Sequence, residues 1–167
     1  YKKICILHFD AHADLRDSYN GEKFSHASAI RRCLDYKNIS IISFGIRNIS
    51  KNEIPYLQKN KSRINIFWAK DKAKWNLQKF KKLIKNKTVY LTFDVDGLDS
   101  SIMPATGTPE PGGLLWDETL NIIKIAAKNS NIVGADINEL APIKGFNSYN
   151  FLVAKLAYKI LSYKYLY

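Results

Sequence analysis

Ile4-Cys5-Ile6-Leu7-His8-Phe9-Asp10-Ala11-His12-Ala13-Asp14 is a nearly continuous apolar run that breaks into acids and a histidine at two-residue spacing. A short run with apolar side chains on both faces reads as a buried parallel strand, because a half-exposed strand would alternate. In extended backbone, residues two apart point to the same side, with roughly 6–7 Å between them. Asp10, His12 and Asp14 can therefore converge at the carboxyl end of that strand. Residues 88–93 form a second such run, closed by Asp94-Val95-Asp96. Open α/β sheets bind ligands in the crevice outside the carboxyl ends of their strands.

Three further apolar runs, 39–44, 64–67 and 132–137, also read as strands. Between them the spacing turns helical. Residues 27–36 set Ile30, Cys33 and Leu34 on one face, with Ser25 as a cap. Leu77, Phe80, Leu83 and Ile84 form a second stripe, and Leu120, Ile123 and Ala127 a third. Asp117 and Glu118 suit the positive end of that third helix. Residues 148–163 predict a long helix using Phe151, Ala154, Leu156, Ala157, Ile160 and Leu161. Ser50 and Glu53 have the spacing of a capping box, although Pro55 would then fall inside the first turn. Strand and helix in alternation predict an α/β domain with a mostly parallel sheet. No repeat, low-complexity tract or linker interrupts it, so residues 1–167 read as one domain.

Composition narrows the class. Hydrophobic residues make up 46% of the 167, enough for a core, which excludes a disordered chain. No apolar stretch approaches the roughly 18–20 residues that span a bilayer, so no membrane partner is expected. The opening residues are too short an apolar run for a signal peptide. Two cysteines, Cys5 and Cys33, make no disulfide framework and fit a reduced, cytoplasmic setting. Like Trp68, Trp75 and Trp116, they read as packing. The net charge of +11 could attract a polyanion. The lysines are scattered, however, as in Lys79, Lys81, Lys82, Lys85 and Lys87, and no basic run carries interleaved aromatics. They read as solvated helix faces, and no nucleic-acid partner is expected.

Asp10, Asp14, Asp94 and Asp96 facing one crevice would repel strongly unless paired. Their four negative charges match two divalent ions. Oxygen ligands with one imidazole favour Mn²⁺, Mg²⁺ or Fe²⁺ over Zn²⁺. Paired metals would activate a water towards an electrophile.

Three motifs resemble those of the ureohydrolases, the family of arginases, agmatinases and related guanidino-acid hydrolases. The first is Phe9-Asp10-Ala11-His12-Ala13-Asp14-Leu15-Arg16-Asp17. The second runs Phe93-Asp94-Val95-Asp96-Gly97-Leu98-Asp99 and continues from Pro104 through Thr108-Pro109-Glu110-Pro111-Gly112-Gly113. The third is Asp136-Ile137-Asn138-Glu139-Leu140-Ala141-Pro142. The resemblance implies a three-layer α-β-α fold, here a partial sheet of about five strands. It also implies a binuclear Mn²⁺ centre bridged by Asp10 and Asp94. His12 and Asp96 would complete one metal position, while Asp14 would serve the other and relay a proton. His26 matches a mobile histidine that shuttles protons at the mouth, and Glu139 matches the glutamate that pairs with the substrate's guanidinium. The implied reaction is hydrolysis of a guanidinium to urea and an amine, by a cytoplasmic enzyme that assembles as homotrimers or hexamers.

Family members are longer at the amino end, where a Gly-Gly-Asp-His-Ser type motif supplies a histidine to the metal position that Asp14 serves. The chain thus resembles the carboxyl-terminal part of a ureohydrolase. One position would keep Asp10, His12, Asp94 and Asp96. The other would keep Asp10, Asp14 and Asp94 and bind weakly, since His8 lies inside the first strand. The last strand would lack its neighbour and leave an exposed edge. Arginases usually carry asparagine where Arg16 stands, which favours agmatine as substrate, with guanidinobutyrate or arginine as alternatives. The contrasting expectation is an inactive or truncated homologue that binds metal without turnover.

Overall fold

Strands that are all parallel need a long return between each pair, and in this chain helices provide it. A computed structural model covers residues 1–167. Its five strands are β1 Ile4–Phe9, β2 Ile39–Phe44, β3 Ile64–Phe67, β4 Thr88–Asp94 and β5 Asn131–Asn138. They form one sheet in the order β3-β2-β1-β4-β5, every neighbouring pair parallel. The direction of strand addition reverses at β1, which lies between β2 and β4. The two motif-bearing strands, β1 and β4, are thus adjacent at the sheet's centre, where the crevice of such a fold forms.

One face of the sheet carries Cys5, Leu7, Phe9, Ile42, Phe44, Val89, Leu91 and Phe93 in the larger core. Three helices pack on it: α3 Leu77–Ile84, α4 Trp116–Asn129 and α5 Asn147–Leu166. The ring of Phe44 stacks on Phe9 and Phe67 and meets Trp75 and Phe80 edge-on, so Trp75 is packing as expected. The opposite face has a smaller core of Ile6, Ile30, Leu34, Ile41, Ile46 and Ile64 beneath two short helices. These are α1 Ala29–Cys33 and α2 Ile54–Lys59.

Four expectations change in detail. The helix predicted over 27–36 is a 3-10 turn, His26–Ser28, followed by five residues of α-helix. Ser25 precedes that turn without capping it, its hydroxyl lying against that of Ser28 instead. The run 132–137 is not buried on both faces: β5 is an edge strand on which only Ile132 is fully covered. Along α5, Leu156 and Ile160 are buried, whereas Phe151, Ala154 and Leu161 face solvent.

Ser50 and Glu53 do pair across the start of their helix. The Glu53 carboxylate accepts from the Ser50 N–H and hydroxyl, both at 2.7 Å, and its other oxygen accepts from Leu15 N–H at 2.8 Å. Pro55 falls in the first turn of α2, where no intrahelical donor is needed. The buried carboxylate thereby fastens the segment that follows Asp14.

Candidate metal centre

Beyond Phe9 the chain leaves the sheet, and Asp14 sits at a φ of +52°, in the left-handed region that side chains other than glycine rarely adopt. It is this turn, rather than continued extension, that brings Asp14 back towards Asp10. Glu139, just past β5, has a φ of +64°. Strained backbone of this kind persists only where the surroundings enforce it, and it gathers at functional sites.

Asp10, His12, Asp14, His26, Asp94, Asp96 and Glu139 all line one cavity of about 700 Å³. Within it, the ligand atoms of Asp10, His12 and Asp96 lie within 4.8 Å of one another, and so do those of His8, Asp10 and Asp14. Asp10 belongs to both groups. His12 Nδ1 is 3.0 Å from Asp96 and 3.5 Å from Asp10. The Asp94 carboxylate stands beside these groups, where it accepts from Asp96 N–H at 3.0 Å. Glu139 is exposed at the rim, since the strand it follows is an edge. His26 is also exposed, its ring edge-on to Tyr19 at 5.4 Å.

His8 shares this site, which the sequence reading missed by treating it as an interior strand residue. It is interior, but two residues before Asp10 it points to the same face, and its Nε2 lies 2.9 Å from Asp10 Oδ2. The two-residue spacing that linked Asp10 to His12 was signal enough.

The two motif loops are locked together. Ala11 N–H donates to Asp96 Oδ1 at 2.9 Å, and a Cβ on Gly97 would lie 2.8 Å from Asp10 N. Arg47 sits beneath them and donates to the carbonyls of Gly45, Asp96, Leu98, Glu110 and Pro111 at 2.6 to 3.2 Å. Gly112, at a φ of +81°, turns the chain just before Gly113. Their N–H groups donate to Asp99, which also accepts from Ser101 and is held down at about 2. Asp136 accepts from Thr92 and Asn138, and Asp17 pairs with Arg31 and Arg32. Asp17, Asp99 and Asp136 thus make structural contacts outside the candidate ligand groups.

The only ion-pair partners of the four site carboxylates are His8 and His12. Burial, then the Asp10 charge, pushes Asp14 up to about 7. Burial with Asp10 and Asp96 pushes Asp94 to about 9. Hydrogen bonds to Asp10 and Asp96 raise His12 to about 10. Burial would raise Asp10 too, but hydrogen bonds from His12 and His8 outweigh it and hold the group below the usual carboxylate range. Four aspartates and two imidazoles around one cavity, with no lysine or arginine within ion-pair distance of the carboxylates, suit two divalent cations.

The protons held on these groups set a pH dependence. Asp14 and Asp94 keep protons in the folded, metal-free chain after the unfolded chain has lost them. Their contribution therefore falls as pH rises from 3.8 through about 7 and about 9. His12 contributes fully below 6.5, and that contribution is lost as pH rises through about 10. All three effects run the same way. With EDTA, the thermal midpoint should fall between about pH 5.5 and 8.5, and Mn²⁺ should raise it most at the alkaline end, releasing protons as it binds. A stabilisation by Mn²⁺ that is equal at both ends would count against these groups as its ligands.

Fold and site together define a class: an α/β domain whose carboxylate–imidazole crevice opens at the carboxyl edge of a parallel sheet. Residues 1–162 match the arginase family, and the chain belongs to it. It is 37% identical over 161 residues to the N(1)-aminopropylagmatine ureohydrolase of Synechocystis, covering 95% of this chain and 51% of that protein. With the agmatinase of Bacillus anthracis the identity is 40% over 154 residues, 86% of this chain and 49% of that one. The crystal structure of the agmatine ureohydrolase of Thermoplasma volcanium superposes with a TM-score of 0.84 at 31% identity, over 98% of this chain and 56% of that one. The chain spans about half the length of the curated relatives it matches.

Proposed function

We propose that this chain carries the catalytic crevice of an Mn²⁺-dependent hydrolase that converts agmatine to putrescine and urea. The observation that carries the reading is the gathering of six motif residues, from Asp10 to Glu139, and of His26 around one cavity. Asp10, His12, Asp14, Asp94 and Asp96 would hold the metal. When bound, paired ions supply an activated water and stabilise charge at the carbon it attacks.

The remaining roles fall to the chain's own side chains. Glu139, at the rim, pairs with the substrate's guanidinium and orients its carbon over the carboxylates, a positioning effect worth several kcal/mol in well-oriented reactions. His26 stands exposed at the mouth and can carry a proton between solvent and the leaving amine. Asp14 lies deeper and completes that proton path. The Arg16 guanidinium leans over the Tyr19 ring at 5.1 Å and towards Glu53 at 4.0 Å. It also lines the cavity, where its planar fork can reach a substrate carboxylate, so guanidinobutyrate and arginine stand beside agmatine as substrates to test. The chain's similarity to an N(1)-aminopropylagmatine ureohydrolase adds aminopropylagmatine as a further substrate to try. A homo-oligomer, trimeric or hexameric, in the cytoplasm completes the proposal.

The test is urea release by the purified chain with and without Mn²⁺, from agmatine, aminopropylagmatine, guanidinobutyrate and arginine. Mn²⁺-dependent urea from agmatine is the expected result. No urea from any of the four at any metal concentration would leave a non-catalytic homologue.

A further inference from the structure

Below the metal-binding carboxylates, the sheet face changes abruptly from apolar to polar. Ile6 and Ile41 are buried in the smaller core. Two residues further along the same strands, His8 pairs in register with Ser43 of β2 and with Thr92 of β4. His8 is only 2% exposed, and an imidazole placed so deep is costly unless both ring nitrogens find partners. Both do. Nδ1 lies 3.2 Å from Ser43 Oγ, and Nε2 lies 2.9 Å from Asp10 Oδ2. The other Asp10 oxygen is held by His12 N–H at 2.6 Å.

Asp10 is the one carboxylate common to both donor groups, so its rotation matters more than that of any other. A lone aspartate at the end of a strand turns about two side-chain torsions. Here its two oxygens are fixed from opposite sides, one by the backbone beyond it and one by a histidine whose far nitrogen is anchored on the adjacent strand.

We infer that His8 is a positioning residue, anchored by Ser43, that fixes the Asp10 carboxylate so that its two oxygens address two different metal positions. This rests on the metal-binding reading proposed above. Hydrogen-bonded supports behind metal ligands typically contribute 10- to 100-fold in metal affinity. The imidazole acts through Asp10 and need not touch the metal.

The test is Mn²⁺ affinity and stoichiometry on the full 167-residue chain, read from the electron paramagnetic resonance signal of free Mn²⁺, with thermal unfolding in EDTA as a fold control. His8→Leu should weaken binding about 10- to 100-fold. His8→Gln, whose amide can reach Asp10 as a donor, should recover most of that loss. Ser43→Ala, which removes only the far anchor, should weaken binding a few-fold and gives a reading even if His8→Leu fails to fold. Unchanged affinity in either His8→Leu or Ser43→Ala would overturn the proposal. So would loss of one whole equivalent of Mn²⁺ in both His8 variants, because that is the signature of a direct ligand. A wild-type chain that binds no Mn²⁺ would overturn the metal-binding reading itself, a result distinguishable from either.

Discussion

Asp10→Asn is expected to abolish Mn²⁺ binding and cut urea release at least about a thousandfold, some 4 kcal/mol of barrier. The side chain keeps its shape but loses its charge, and it belongs to both ligand groups, so neither metal position survives the change. Its effect on the metal-free fold should be small. The same charge raises Asp14 and Asp94 by repulsion, and removing it relieves both, while the amide keeps one acceptor oxygen and turns its NH2 towards the other partner, His8 or the His12 N–H. The opposing effects should leave the EDTA midpoint within about 5 °C of wild type. Retention of tight Mn²⁺ binding by Asp10→Asn would remove Asp10 from the centre.

Arg47→Ala should do the reverse, damaging the fold first and the site through it. One guanidinium joins five carbonyls from three segments, the turn after β2, the loop after β4 and the Glu110-Pro111 stretch. Its loss should cost about 3 kcal/mol, since hydrogen bonds to a charged donor are individually strong and no other side chain replaces the fork. That corresponds to a fall of roughly 10 °C in thermal midpoint. Metal affinity should fall as well, because the Asp96 carbonyl is one of the five. Arg47→Lys should rescue little, as one ammonium cannot span them. Thermal unfolding of the three proteins settles it, and an Arg47→Ala midpoint equal to wild type would show the contacts to be incidental.

Much of this arrangement was legible before the structure. The strands at 4–9, 39–44 and 64–67 have the expected bounds, because runs apolar on both faces leave little choice of register or length. The carboxylates at strand ends, read by period two, pointed to one crevice. Helices were harder. The last helix is apolar around most of its girth, so its pattern does not say which side packs, and Phe151 and Leu161 proved to face solvent. His8 stood apart from the ligands because it lies inside the first strand, although a strand that ends at a site buries its last polar side chain beside it. Arg47 had no local signal at all. Its partners lie 49 to 64 residues away along the chain, except for one carbonyl two residues back, and only the folded loops bring them together.

The contact of Gly97 with the Asp10 backbone bears on how the crevice breathes. With no side chain between them, the two loops touch main chain to main chain: Ala11 N–H of the first rests on Asp96 of the second, whose own N–H is held by Asp94 within the same loop. Neither loop can swing out without breaking the seal of the other. In deuterium exchange these amides should therefore open to solvent in one shared event, at one rate, rather than as two independently flickering turns. A crevice that opens only as a unit admits its substrate through the mouth and keeps its floor shut.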